Sequence, residues 1–109
     1  MSGAANPVRG EASLLVGGEP IVLRPSFEAL VAAEEELGPL FALVERAADG
    51  GLRVSEMAAF FWHCAQHLPA RPERERIGAA IAEGGLAGCA PVLKALLAQV
   101  LQGALTGPP

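Results

Sequence analysis

The groups in this 109-residue chain that could do chemistry fall in two places. The first is "HCAQH", residues 63 to 67. His63 and His67 stand four apart, so a continuous helix would place both imidazoles on one face where they could share a metal ion, and Cys64 or Cys89 could add a thiolate. The surroundings do not extend the pattern: there is no HExxH, no Cys-x-x-Cys, and Cys64 points to the apolar side while the histidines point elsewhere. A Cys/His nucleophile pair is also disfavoured, since adjacent helical residues diverge by about 100°. Edge-packed or exposed histidines are expected. A small cytoplasmic metal-binding or enzymatic helical domain using His63, Cys64 and His67 stands as the alternative reading.

The second place is the acidic run Glu34-Glu35-Glu36. Phe27, Leu30, Val31 and Leu37 share one helical face, and Glu34 falls in the middle of it. A catalytic acid, a structural ion pair and a docking contact are the three roles open to it. Catalysis would need a second group converging on the same cavity, and none is offered. Glu34 therefore reads as a structural or docking carboxylate, paired with Arg24, Arg46 or Arg53, because an unpaired acid in a core costs several kcal/mol, on the order of 3–5. Glu35 and Glu36 fan away onto a solvated face.

These residues must be positioned by a mostly helical α+β fold. "GEASLLVGGEPIVLR" reads as a β-hairpin, with Ala12, Leu14 and Val16 alternating with Glu11, Ser13 and Leu15 and with Gly17-Gly18 at the turn. Such a hairpin is marginal alone and must pack on helices. Four to five short helices follow. The first spans about 26 to 37, capped by Ser26 and stopped at Gly38-Pro39. The second, "PLFALVERAAD", ends at Gly50-Gly51. In the third, "SEMAAFFWHCAQHL", Ser55 is the expected cap, Met57, Phe60, Phe61, Cys64 and Leu68 form the stripe, and Pro69 stops it. The fourth is "PERERIGAAIAEGG", and the last runs from about 90 to 105 with Pro91 in its first turn. Residues 1–8 and 106–109 read as flexible ends around a single domain over 9–105.

The last helix is apolar over more than half its circumference through Val92, Leu93, Leu96, Leu97, Val100, Leu101 and Leu105. A surface helix needs an arc of little more than about 100°. The surplus suits either a central position or a partner chain, including a second copy. Leu93, Leu97, Val100 and Leu101 are candidate protein-binding residues, together with Trp62 on the shoulder of the third helix's stripe.

Composition narrows the class. The net charge of −4 lacks the basic footprint of a nucleic-acid binder. No basic amphipathic face suits a membrane surface, and no apolar run approaches the roughly 20 residues that span one. Two cysteines make no disulfide framework, and "MSGAANPVRGEAS" has neither the basic start nor the apolar core of a signal peptide, so a cytoplasmic location is expected.

The order of elements carries a resemblance. Gly10-Glu11 opens the hairpin and Leu23-Arg24 closes it. Ser26-Phe27, Ala29-Leu30, Glu34 and Gly38 mark the first helix, and Ser55-Glu56 opens the third. In this sequence of features the chain resembles a phage-derived family of gene transfer agents and related prophages, whose members look like tail-assembly chaperones and are also described as tail tube proteins. The likeness covers roughly residues 9 to 105 and departs after Leu68, where "PARPERERIG" is unusually charged. What it implies is non-enzymatic and needs no cofactor: a small protein that coats the helical tape-measure protein, keeps it soluble, helps recruit tail-tube subunits, and is absent from the finished particle. A minor structural component of the tail is the family's other implication.

Overall fold

The computed structural model describes residues 10–102. The expected loose ends and Leu105 lie outside that range. A two-stranded antiparallel hairpin, β1 (Ala12–Val16) and β2 (Glu19–Leu23), is followed by α1 (Phe27–Leu37), α2 (Leu40–Asp49), α3 (Val54–Cys64) and α4 (Arg74–Gln102). The fold is α+β and mostly helical, as the sequence pattern predicts.

The hairpin is set by its turn. Gly17 and Gly18 both adopt positive φ, 60° and 83°, the conformation that lets a two-residue turn match the twist of the strands. The register follows, with Val16 opposite Glu19 and Ala12 opposite Leu23. Leu14, Val16 and Leu23 are buried on the inner face, while Leu15 and Pro20 face outward. Glu11, just before β1, is buried too, contrary to its expected outward position. Its carboxylate accepts from Arg24 Nε at 2.8 Å. The Arg24 amide in turn donates to the Cys64 carbonyl at 2.8 Å, which ties the end of the hairpin to the end of α3.

The central helix is α3, not the last one. Met57 through Phe61, His63 and Cys64 are all buried, so α3 is covered nearly all round. Against it α1 presents Ala29 and Ala33, both at zero exposure, and of the expected stripe only Leu30 and Leu37 pack, half-buried, against the core. Phe27 is 77% exposed and Val31 37%. The reason lies in the partner: α3 supplies the bulk through Phe60 and Phe61, both fully buried, and alanines let the two helices approach. Ser26 caps α1 as predicted, its hydroxyl accepting from the Ala29 amide at 3.2 Å. At α3 the cap is Arg53 rather than Ser55, and Glu56 reaches back to the Arg53 amide at 2.9 Å.

Two helix limits differ from expectation. α3 stops at Cys64, and residues 65–68 continue in tighter turns, with Ala65, Gln66 and Leu68 each donating to the carbonyl three residues earlier. The fourth and last predicted helices run on as α4, broken at Gly85, where φ 78° and ψ 155° interrupt the helical path. Pro91 lies inside the second half, not in a first turn. The span Arg74–Leu101 is long and apolar enough to cross a membrane by composition, but the Gly85 break leaves two pieces, each shorter than the roughly 20 residues a bilayer requires.

Candidate functional site

An apolar groove runs between α2 and the second half of α4. On α2, Leu40, Leu43, Val44 and Ala47 recur at the spacing of one helical face; Leu40 and Leu43 sink into the core, which leaves Val44 and Ala47 at its margin. On α4, Leu93, Leu97 and Leu101 follow at intervals of four, and Leu96 points inward with no exposure. Between these rows is a groove of about 440 Å³ whose lining is almost wholly apolar, with Lys94 as its charged member. Leu93 and Leu97 are shared between groove and core, whereas Leu101 is 52% exposed at the groove's end. The wide apolar arc of the last helix thus divides between the fold and an open surface.

Of the residues singled out in the sequence, Leu93, Leu97 and Leu101 come together here. Val100 packs against the core and does not line the groove. Trp62 lies elsewhere, half-buried on α3 beneath two guanidinium groups: Arg71 sits 3.6 Å from its ring centroid and Arg74 4.4 Å. The α2 wall, Val44 and Ala47, was not among the sequence candidates, although its i, i+3, i+4, i+7 pattern is written in "LFALVERA".

The acidic run is distributed differently from expectation. Glu34 is exposed, and its partner is not an arginine: Arg24 pairs with Glu11, and Arg46 with Glu56 at 2.7 Å. Instead Glu34 Oε2 accepts from the Leu40 amide at 3.1 Å, while the Glu34 carbonyl accepts from the Gly38 amide at 2.9 Å. Leu40 begins α2, where the first amides have no intrahelical acceptor and the helix dipole favours negative charge. The position that looked like a buried acid therefore closes the corner between α1 and α2, one turn before the groove wall begins.

Glu36, expected in solvent, joins three helices. Arg74 Nη1 donates to Glu36 Oε2 at 2.6 Å and Arg74 Nη2 donates to Oε1, a bidentate pair between α1 and α4. His63 Nε2 lies 2.8 Å from the same Oε1. An ionised carboxylate only accepts, so the Nε2 nitrogen carries the proton. The Arg74 guanidinium, with help from His63, holds the Glu36 carboxyl down at about 2 against an ordinary 4.5. His63 also meets Trp62 edge to face, with ring centroids 5.0 Å apart.

The HCAQH segment does not assemble a centre. Because α3 ends at Cys64, His67 is no longer one helical turn from His63. His63 is buried rather than edge-exposed and turns to Glu36. Cys64 is in the core, where burial pushes its thiol up to about 12. His67 lies by Arg24 and Glu11, and its pKa is lowered by burial and then by Arg24. Cys89 is buried and its thiol is also pushed up. Neither thiol is placed to ionise at neutral pH. Among the described residues no group of three or more His, Cys, Asp or Glu side chains is arranged to hold a metal ion.

The described surface thus carries an open apolar groove, and the buried side-chain atoms left without a partner, Arg46 Nε and His67 Nδ1, are not among the groove's lining residues. A family model described as phage tail tube protein, GTA-gp10, matches residues 9–103, and the chain belongs to that family. It is thus a phage or gene-transfer-agent tail protein. No curated protein and no solved structure matches the chain.

Proposed function

We propose that this protein is a tail-assembly chaperone that holds an apolar helical stretch of the tape-measure protein in the α2–α4 groove and helps recruit tail-tube subunits around it. The groove carries the reading. It is long, apolar and open, its floor is anchored by Leu93 and Leu97, and Leu101 remains exposed at its end. Such a shape receives the apolar face of an amphipathic helix. Lys94 at the groove would meet a carboxylate on that helix's polar flank. The protein would act in the bacterial cytoplasm, in transient association with assembling particles.

Ala48 and Leu101 are exposed and line the groove, so a glutamate at either would place charge in the contact without entering the core. Co-purification with the co-expressed tape-measure protein is expected for wild type and is expected to fall at least about tenfold for Ala48→Glu and Leu101→Glu, each with wild-type thermal stability. Complexes of undiminished affinity in both variants would remove the groove from the interaction. The description of the matched family as a tail tube protein supports a second reading, a permanent tail component. Stoichiometric copies in purified particles, measured by mass spectrometry, would establish that role in place of the chaperone.

A further inference from the structure

The two walls of the α2–α4 groove carry opposite charge. At about 100° per residue, the side chains of α2 follow one another round the helix, from the core margin outward, in the order Ala47, Val44, Ala48, Phe41, Glu45 and Asp49. The first three line the groove. Phe41 comes next and is 72% exposed, an aromatic side chain that the fold leaves uncovered. Beyond it Glu45 and Asp49 face solvent. The base on this helix, Arg46, turns the other way and pairs with Glu56. Among the described residues neither Glu45 nor Asp49 forms an ion pair.

The α4 wall has the other sign. Lys94 is exposed and lines the groove, and it is the one charged side chain between Glu83 and the end of the sequence. It too forms no ion pair among the described residues. The lining of α4 runs from Ala90 to Leu101, about 16 Å at 1.5 Å per residue, or roughly three helical turns. An apolar floor of that length therefore lies between one basic and one acidic rim.

We propose that the guest of this groove is an amphipathic helix with flanks of unlike charge, carboxylates along α4 and lysines or arginines along α2, with Phe41 packed beside its apolar stripe; the inference rests on the reading of the groove as the seat of a tape-measure helix. Lys94 pairs with the acidic flank, and Glu45 and Asp49 with the basic one. Phe41 adds the aromatic surface that interface cores favour. The pattern also fixes direction. A helix lying on its apolar face exchanges its left and right flanks when turned end for end, so rims of unlike charge accept one direction of the guest chain and repel the other. Rims of like charge would accept both.

The test uses the full chain and three synthetic helical peptides that share one apolar face: flanks acidic on one side and basic on the other, acidic on both, or basic on both. Fluorescence anisotropy of the labelled peptides gives the affinities. The mixed peptide is expected to bind at least about threefold more tightly than either of the others at low salt, an advantage that fades near about 0.5 M salt. In Lys94→Glu both rims are acidic, and the preference should pass to the peptide with two basic flanks. Phe41→Ser should weaken the mixed peptide at least about fivefold. A nitroxide on that peptide's N-terminus should broaden amides at one end of the groove, by Ala90 or by Leu101, and at the other end once the two flanks are exchanged. Equal affinity for all three peptides, with binding that Leu101→Glu removes, would overturn the charge pattern and leave the groove reading standing. Absence of binding by any peptide, or binding that survives Leu101→Glu, would overturn both. Dimerisation of the chain that Leu101→Glu abolishes would overturn the proposal as well, since the occupant would then be a second copy.

Discussion

Replacing Glu36 by Gln is expected to loosen the junction of α1, α3 and α4. The side chain accepts from Arg74 at 2.6 Å and from His63 at 2.8 Å. The Arg74 pair is partly solvated, with side-chain exposures of 39% and 37%, so it contributes about 0.2–1 kcal/mol. The His63 side chain is only 10% exposed, and weakening its bond to a charged acceptor costs about 1 kcal/mol more. Gln keeps one acceptor, so the total is about 1–2 kcal/mol at neutral pH, or roughly 5–10 °C in Tm for a domain of this size. Urea unfolding followed by fluorescence reads it directly, because Trp62 is the sole tryptophan and touches His63. The pH dependence has a defined sign. The folded carboxyl is held down at about 2 against 4.5, so its contribution is complete above 4.5 and is lost as pH falls toward 2. The gap between wild type and Glu36→Gln should therefore close over that window. A gap below about 0.3 kcal/mol at neutral pH, or one that does not narrow on acidification, would refute the assignment of Glu36 as the junction.

Other substitutions test the core, the entry to β1 and the thiols. Leu96→Ala, at a site with no exposure, is expected to cost about 2–5 kcal/mol, whereas Leu101→Ala should cost less than about 0.5 kcal/mol; chemical denaturation separates them. Gly10→Ala is expected to destabilise by about 1–3 kcal/mol, because φ is +74° and the new Cβ would lie 2.5 Å from Gln99 Cβ; its thermal midpoint against wild type measures this. Cys64, buried and raised to about 12, should resist a thiol reagent at mildly alkaline pH in the native protein and react once urea unfolds it.

Much of the architecture was legible because local chemistry and global fold agree. The alternation at Ala12, Leu14 and Val16, the glycine pair at the turn and the Ser26 cap each specify a conformation within a few residues. The buried face of α1 was legible only in part, through Leu30 and Leu37. Periodicity marks an apolar stripe but does not say which partner it meets, and once Phe60 and Phe61 fill the contact, Ala29 and Ala33 fit where Phe27 and Val31 would not. Glu34 and Glu36 took partners other than those expected for the same reason. An end-cap at Leu40 and a bidentate pair with Arg74 depend on residues 6 and 38 positions away, and no periodic pattern encodes such separations. The groove was half legible: the leucines of α4 announced a surplus, but the opposing wall depends on where α2 comes to rest.

Gly85 has a mechanical consequence for that groove. A continuous helix is a stiff rod, and displacement at one end is carried along its hydrogen-bond ladder. With the ladder interrupted at φ 78° and ψ 155°, the leucine-bearing half of α4 is joined to the Arg74-bearing half by one glycine and by side chains packed on common neighbours. The break thus lies outside the lock that holds α1 to α4, so a shift of the leucine-bearing half need not strain the Glu36–Arg74 clasp.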